Sequence, residues 1–244
     1  MRLPFEHRAD AGRRLAERLE ERSLSDPLVL TLPRGGVAVG FEVAAALGAE
    51  LDVTVVRKLG VPSRPELAMG AIVSGGIRVL NPEVIGPLGI DEERIERVTG
   101  MERRELERRE RVYRSGRPPA EVSGRTVILV DDGAATGATV LAAIHALRKR
   151  DPARLIVALP VAAAETVRRI AAEADEVVCL ATPEPFLAIS MWYREFSPVI
   201  DEEVRYLLER AERLRRHGPA GSHEVVPPER PETAPDFREV GRSA

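Results

Sequence analysis

Short apolar runs alternate along the chain with longer segments whose apolar positions recur at helical spacing. Such runs, bounded by turn residues, indicate buried strands, and the helical spacing indicates amphipathic helices that cover them. The predicted strands are Leu28–Leu32, Leu51–Val56, Val127–Val130, Leu155–Leu159 and Glu176–Leu180, with a short hairpin of Ala71–Val73 and Ile77–Leu80 around Gly75-Gly76. The predicted helices are Ala11–Arg22, Val37–Leu47, Asp91–Tyr113, Thr139–Arg150, Ala164–Ala172 and Asp201–Arg216. Apolar strands separated by helices predict an α/β fold, with a mostly parallel sheet flanked by helices.

The chain has 244 residues, which suits one domain with an appendage. We predict that residues 1–217 form this domain. Residues 218–244 are rich in proline and lack apolar periodicity, so this tail is predicted to be disordered. A hydrophobic content of 44% with only 4% aromatic residues favours an aliphatic core.

Charge and cysteine usage narrow the functional class. The net charge of −3 argues against a general nucleic-acid binder. Opposite charges recur at helical spacing in Glu102–Arg114, which is typical of a solvated, ion-paired helix face. The single cysteine, Cys179, lies in an apolar run and is predicted to be a buried core thiol.

Because we see neither a signal peptide nor an apolar run long enough for a membrane span, we expect a cytoplasmic protein without membrane contact.

Residues 127–139 carry the most informative chemistry of the sequence. An apolar strand ends in two adjacent carboxylates, Asp131 and Asp132, which a turn of small residues follows. A site for phosphate alone would disfavour two carboxylates. A phosphorylated sugar would use them, because vicinal ribose hydroxyl groups can donate to both. The pattern therefore favours a sugar phosphate as the ligand.

The turn after the acidic pair has the composition of a phosphate-binding loop. Gly133 and Gly137 permit tight backbone conformations and close approach of a ligand. Unpaired amides at the start of the next helix, together with the hydroxyls of Thr136 and Thr139, can hold an anion. The chain has no Gly-x-x-x-x-Gly-Lys-Ser/Thr motif, and Gly35–Gly40 lacks the spacing of a dinucleotide-binding loop. A phosphatase or receiver-type site would need carboxylates spaced as Asp-x-Asp rather than adjacent.

This segment resembles the phosphoribosyl-pyrophosphate (PRPP) signature of the type I phosphoribosyltransferases, which is a hydrophobic strand, an acidic pair, small residues and Thr-Gly-x-Thr. The resemblance implies that Asp131 and Asp132 act at the ribose as catalytic residues. It assigns PRPP binding to Gly133, Ala134, Ala135, Thr136, Gly137, Ala138 and Thr139. Many family members carry aspartate at the position of Ala135. The alanine excludes a general base from this loop but does not exclude catalysis.

A second segment, Thr31–Gly36, resembles the pyrophosphate loop of the same family. Arg34 would donate to phosphate oxygens, and the amides of Gly35 and Gly36 would approach the anion closely. Related loops use a cis non-proline peptide here, so Pro33-Arg34 or Arg34-Gly35 is predicted to be cis. Taken alone, the segment is equally compatible with a surface turn that carries a solvated arginine.

The connection at residues 59–70 contains two prolines and two glycines, and it stands where the family carries a flexible catalytic loop. Arg57, Lys58 and Arg64 are candidate pyrophosphate contacts. Lys58 and Arg34 are also candidate catalytic residues. The alternative is an ordinary connection with exposed charges.

Aromatic residues concentrate in Phe186–Phe196. Type I enzymes build a small hood beside the core, where the acceptor base stacks, and here we expect residues 182–200 with parts of the N-terminal region to form it. Trp192, Tyr193 and Phe196 are the candidate base contacts. In the alternative interpretation, these aromatics only pack the last helix against the sheet.

The wider pattern, from Phe5–Leu19 to Trp-Tyr-x-x-Phe, resembles one branch of this family in which the acceptor is unassigned. The resemblance implies transfer of 5-phosphoribosyl from PRPP to a nitrogenous base, with release of pyrophosphate. Mg²⁺ would be the cofactor, bound mainly through PRPP, with Asp131 and Asp132 as further candidate ligands. A homodimer is compatible with this interpretation. The alternative function is a non-catalytic PRPP- or nucleotide-binding regulatory protein on the same fold.

Overall fold

The computed structural model describes residues 4–217, and the predicted disordered tail, 218–244, lies outside the described residues. Helices and strands alternate along this part of the chain. The helices are α1 (Arg8–Glu20), α2 (Gly35–Leu47), α3 (Pro82–Ile85), α4 (Glu92–Arg114), α5 (Ala138–Arg148), α6 (Ala164–Ala171) and α7 (Asp201–His217). The strands are β1 (Pro27–Thr31), β2 (Glu50–Val53), β3 (Val56–Val61), β4 (Arg64–Val73), β5 (Ile77–Leu80), β6 (Thr126–Val130), β7 (Arg154–Val161) and β8 (Glu176–Ala181). A short 3₁₀ turn covers Ile189–Trp192.

The central sheet has five parallel strands in the order β2-β1-β6-β7-β8. Its strands are apolar on both faces because helices cover both. Ile128 belongs to a core cluster shared with α1, α2, α4 and α7. Its neighbours Val127 and Leu129 belong to a second cluster under α5 and α6. The predicted α/β fold, with a mostly parallel sheet flanked by helices, is therefore confirmed.

A second, antiparallel sheet of three strands, in the order β3-β4-β5, stands beside the central one. The predicted hairpin at Gly75-Gly76 is confirmed, and both glycines have left-handed φ angles, of 82° and 73°. The predicted strand Leu51–Val56 was wrong in its extent. It ends at Val53, and Val56 begins β3 in the other sheet.

Residues 59–70, predicted as a loop, are mostly strand, because β3 and β4 pair as a hairpin across them. The residues that suggested a loop have local roles in this hairpin. Pro62 lies in its turn. Gly60 lies at a register shift, where a Cβ atom would come within 2.6 Å of the carbonyl oxygen of Pro65. Glycine and proline therefore mark a bulge and a turn here, not an unstructured connection.

Helix α4 packs on β3 and α7, and it carries the ion pairs predicted for Glu102–Arg114, such as Arg109–Glu105 at 2.8 Å. Asp91 caps its first turn by accepting from the amide of Arg94.

Cys179, predicted as a buried thiol, is only partly buried in β8. Burial raises the pKa of this thiol to about 11, which leaves it protonated and weakly nucleophilic at neutral pH. No helix within residues 4–217 is both long and apolar enough to cross a membrane.

Candidate functional site

The strand order of the central sheet reverses between β1 and β6. From β1 the chain adds β2 on one side, and it later returns to add β6, β7 and β8 on the other. In open α/β sheets, ligands bind at such a reversal, in the crevice outside the carboxyl ends of the strands. Here the loops that leave the carboxyl ends of β1 and β6 are the two segments singled out in the sequence.

We call residues 131–139, after β6, the acidic loop, and residues 32–36, after β1, the glycine loop. The two touch at their backbones. The amide of Leu32 donates to the carbonyl of Val130 at 3.0 Å. A Cβ atom on Gly36 would lie 3.0 Å from Cα of Asp131, so glycine is needed for this approach. The structure therefore brings the two predicted segments together at one edge of the sheet.

The acidic loop is fixed from its outer side by β7 and α6. The amide of Ala134 donates to the carbonyl of Val161 at 3.0 Å. The hydroxyl of Thr166 donates to the carbonyl of Ala135, and Arg169 donates to the carbonyl of Thr136 at 3.2 Å. The carbonyl groups thus point toward protein partners. Four positions of the loop stay exposed, namely Ala135, Thr136, Ala138 and Thr139.

Gly137 sets the direction in which α5 leaves the loop. Its φ of 72° is left-handed, and a Cβ atom there would come within 2.6 Å of Cγ2 of Thr166. No side chain caps the helix start that it forms. The first amides of α5 therefore lack a capping side chain, beside the exposed hydroxyl-bearing residues Thr136 and Thr139.

The two carboxylates have different surroundings. Asp131 is partly buried, and its Oδ1 accepts from the amide of Asp132 at 2.8 Å. Burial and then the charge of Asp132 raise the pKa of Asp131 well above its usual value. Asp132 is buried, and burial raises its pKa too, opposed by the charge of Arg8. The folded chain thus holds two neighbouring acids whose charged forms it disfavours.

Arg8, which the sequence analysis missed, is the partner of Asp132. Its Nε lies 2.7 Å from Oδ2 of Asp132, with side-chain exposures of 11% and 13%. Its Nη1 donates to the carbonyl of Ser197 at 2.8 Å. Its guanidinium lies 3.7 Å from the ring centroid of Phe196. The contact joins residues 124 positions apart, so no local pattern could predict it. The only signal was that a buried carboxylate needs a cation.

The predicted hood residues pack against the N-terminal segment rather than against the last helix. The amide of Phe5 donates to the carbonyl of Trp192 at 2.8 Å, and the ring of Phe5 lies 5.4 Å from that of Tyr193. Phe196 lies 5.0 Å from Tyr193 on the other side. Trp192 is partly buried and stacks on Phe186 at 6.4 Å. The alternative, in which these aromatics pack the last helix onto the sheet, is not what their contacts show.

Tyr193 supports the acidic loop directly. It is 5% exposed, and its hydroxyl donates to the carbonyl oxygen of Asp132 at 2.6 Å. Burial raises the pKa of this phenol, so it stays a donor at neutral pH. Trp192 and Phe196 are less buried than Tyr193. The same segment also exposes two apolar side chains, Leu187 and Met191, to 72% and 58%.

In the glycine loop, the peptide between Pro33 and Arg34 is cis, as predicted. Arg34 precedes α2, and its side chain is 49% exposed. Its Nη1 lies 3.9 Å from Oδ1 of Asp201, at the start of α7. The hydroxyl of Tyr113 donates to the same carboxylate oxygen at 3.0 Å. A half-exposed guanidinium with one distant partner is well suited to bind an anion.

The basic residues of β3 have carboxylate partners outside the acidic loop. Arg57 forms an ion pair with Glu102 of α4 at 2.6 Å. Lys58 lies 3.7 Å from Glu66 on the opposite strand of its own hairpin, and its side chain is half exposed. The third candidate, Arg64, is exposed at the hairpin turn. These residues share one hairpin, whereas Arg34 belongs to the crevice.

The donor set of the acidic pair fits Mg²⁺. Carboxylate oxygens are the hard ligands that this ion prefers, and it commonly uses one or two of them together with substrate phosphates. A cation would also relieve the unfavourable charge of Asp131 and Asp132. Within residues 4–217, no group of three or more histidine, cysteine, aspartate and glutamate side chains is arranged to hold a metal ion.

Residues 5–188 match the family described as phosphoribosyl transferase domain. The chain therefore belongs to this family.

Two relatives and one solved structure are close to this chain. Two Mycobacterium tuberculosis proteins, of strains CDC 1551 and H37Rv and both named "Putative phosphoribosyl transferase", are 48% identical to it over 209 residues. The match covers 86% of this chain and 47% of each relative, so the chain spans about half their length. The crystal structure of TT1426 from Thermus thermophilus has a TM-score of 0.76 and 45% identity, and the match covers 86% of this chain and 99% of that one.

Proposed function

We propose that this protein transfers the 5-phosphoribosyl group of PRPP to a ring nitrogen of a nitrogenous base. A bond forms between that nitrogen and C1 of the ribose, the bond from C1 to the pyrophosphate oxygen breaks, and pyrophosphate leaves. One observation carries the proposal. The acidic loop and the glycine loop leave adjacent parallel strands at the switch point and touch, with Gly36 against Asp131.

Each loop would bind one end of PRPP. The 5-phosphate would lie on the amides of α5 and accept from Thr136 and Thr139. The ribose hydroxyls would donate to the acidic pair, Asp131 and Asp132. Pyrophosphate would lie on the amides of Gly35 and Gly36. The remaining backbone of the acidic loop, Gly133, Ala134, Ala135, Gly137 and Ala138, would shape the phosphate pocket.

Breaking the bond at C1 places positive charge on the ribose and negative charge on the departing pyrophosphate. Arg34 would stabilise the leaving group, joined by Lys58 and Arg57 from the β3–β4 hairpin. Asp131 and Asp132 would help to hold Mg²⁺ together with PRPP, and the ion would supply further charge neutralisation at the pyrophosphate. The acceptor base would stack on the hood at Trp192 or Phe196, while Tyr193 holds the loop beneath it.

A regulatory PRPP or nucleotide sensor is the second candidate, and Ala135 is compatible with it. This position carries no carboxylate, so it offers no general base for the acceptor nitrogen. The two candidates differ in one product. The experiment incubates the protein with PRPP, Mg²⁺ and a panel of purines, pyrimidines and related bases, and it measures pyrophosphate. A transferase releases pyrophosphate from PRPP when the right base is present, whereas a sensor binds PRPP without base-dependent release.

The first test measures PRPP binding by calorimetry in the presence of Mg²⁺. Replacing Asp131 and Asp132 together by Asn keeps their size and removes both charges. Each lost charge-assisted hydrogen bond is expected to cost about 1.5–3 kcal/mol, which weakens binding at least tenfold. The matched control is Asp26→Asn, an exposed carboxylate paired with Arg125 away from the crevice. Equal affinity in the double variant and the control would refute the proposed ribose contacts.

A further inference from the structure

Arg8 connects three parts of the molecule that are distant in sequence. It comes from the first turn of α1, it pairs with Asp132 of the acidic loop, and it contacts the hood at Ser197 and Phe196. We propose that Arg8 is a positioning residue for phosphoribosyl transfer, which fixes the acidic loop and the hood in the arrangement that binds PRPP. This inference rests on the proposed function.

The packing around Asp132 leaves its carboxylate little freedom. A Cβ atom on Gly35 would lie 1.9 Å from Oδ2 of Asp132, the same oxygen that accepts from Arg8. The carboxylate is thus held between the glycine loop on one side and the guanidinium on the other. Without Arg8 it would be a buried charge beside Asp131 with no counter-ion, and it would have to move or take up a proton. Either change displaces the loop that follows.

The same guanidinium also determines where the hood lies. Its Nη1 hydrogen bond to Ser197 and its stacking on Phe196 place that segment over the acidic loop. Tyr193 adds a second link, since its hydroxyl donates to the backbone of Asp132. The side chain and the carbonyl of Asp132 are therefore both tied to the hood, one through Arg8 and one through Tyr193. Loss of Arg8 is expected to loosen both ends of the proposed site at once.

The chain contains a matched control for this residue. Arg14 lies on the same helix and also stacks on an aromatic ring of the hood region, 5.4 Å from the centroid of Phe5. It pairs with Asp10 of α1 at 2.8 Å. Replacing either arginine by Met removes one charge and one ring contact from α1 while keeping the length of the side chain. Of the two arginines, Arg8 is the one that pairs with Asp132.

The experiment titrates PRPP with Mg²⁺ by calorimetry, well below the melting temperature of every variant. Arg8→Met is expected to weaken PRPP binding about tenfold, and Arg14→Met to leave the affinity within about twofold of the wild type. Arg8→Lys keeps the charge and is expected to recover part of the loss, although it lacks the planar fork. In the Asp132→Asn background, Arg8→Met should weaken binding much less than in the wild type, because Arg8 acts through that carboxylate.

The outcomes separate this inference from the proposed function. If the wild type does not bind PRPP, the proposed function is refuted, and so is the proposed role of Arg8. If the wild type binds but Arg8→Met binds equally well, or Arg14→Met is equally impaired, only the positioning role is refuted. Additive losses for Arg8 and Asp132 refute it as well, since they would show that the two side chains act separately.

Discussion

At the scale of single residues, the surroundings of Asp131 lower the stability of the folded protein when this carboxylate is charged. The same surroundings favour a ligand that brings a cation or hydroxyl donors to it. Burial and the neighbouring charge of Asp132 raise its pKa, so the folded chain holds this proton more tightly than the unfolded chain does. Between the two pKa values the folded state binds more protons. Its stability therefore falls as the pH rises through that window, and the loss is complete above the folded pKa.

Asp131→Asn removes this penalty and keeps an oxygen that can accept from the amide of Asp132. The variant is expected to melt higher than the wild type at neutral pH, by about 2–4 °C for each kcal/mol gained. The gain should shrink as the pH falls toward the usual pKa of aspartate, because below that value the wild-type carboxyl is protonated in both states. Thermal melts from pH 4 to 8 measure it. A gain in stability that does not change with pH would contradict a raised pKa for Asp131. If the variant gains stability and loses PRPP binding, the wild type gives up stability for function at this residue.

At the scale of elements, the site depends on how α5 begins. Gly137 is left-handed and closely packed, and its partner Thr166 also donates to the carbonyl of Ala135. The glycine thus fixes the helix start and keeps the loop against α6. Gly48 at the end of α2 has a similar φ of 61°, but nothing lies within 4 Å of where its Cβ atom would be. A substitution at Gly48 therefore measures the cost of backbone strain alone, and one at Gly137 measures strain together with crowding.

Gly137→Ala is expected to destabilise the protein more than Gly48→Ala does. A left-handed alanine costs about 1–2 kcal/mol at either position. At Gly137 the added methyl group must also displace Thr166, whose Cγ2 lies 2.6 Å away, and so shifts the acidic loop. Urea unfolding measures both costs, and PRPP calorimetry should show weaker binding for Gly137→Ala only. Equal unfolding energies for the two variants would show that the packing at Gly137 is loose.

At the scale of the whole molecule, a buried network joins α4 to the central sheet. Nε of Arg114 lies 2.9 Å from Oδ1 of Asp52 in β2, and its Nη2 donates to the carbonyl of Val53. The amide of Ala120 donates to the same aspartate at 2.9 Å. Helix α4 also packs on the β3–β4 hairpin. The network therefore fixes the hairpin that carries Lys58 relative to the sheet that carries the crevice.

Arg114→Met leaves Asp52 buried without its cation, and it is expected to destabilise the protein by about 3–5 kcal/mol. Arg97→Met on the exposed face of the same helix removes a pair with Glu93 and should cost less than about 0.5 kcal/mol. Denaturant unfolding of the two variants makes the comparison. A small cost for Arg114→Met would mean that Asp52 finds water or another donor.

The predicted hood also belongs to the whole molecule, since the N-terminal segment meets residues 182–200 there, as in the contact of Phe5 with Tyr193. Trp192 is the single tryptophan and reports on this contact. If the acceptor base stacks there, its binding should change the tryptophan fluorescence more than PRPP does. Trp192→Phe should then raise the Michaelis constant for the base more than that for PRPP. If Trp192→Phe melts at a lower temperature but has the same Michaelis constants as the wild type for both substrates, the indole serves only in packing.

What the sequence determined by itself was local. Hydrophobic periodicity located the strands and helices, because buried parallel strands and amphipathic helices impose different repeats. The acidic pair and the Arg34-Gly35-Gly36 turn could be read as site segments because each is contiguous and its chemistry is in its own residues. The resemblance to a known family added the cis peptide at Pro33-Arg34.

The tertiary structure decided what depends on distant residues. Residues 59–70 looked like a loop because glycine and proline mark bulges and turns as well as loops, and only strand pairing tells these apart. Only the tertiary structure shows that the hydroxyl of Tyr193, a predicted base contact, donates to the backbone of Asp132. Arg8 carried no signal in its own surroundings. Its role exists only because folding buries a carboxylate from 124 positions away, and a buried charge must find a partner wherever the fold places one.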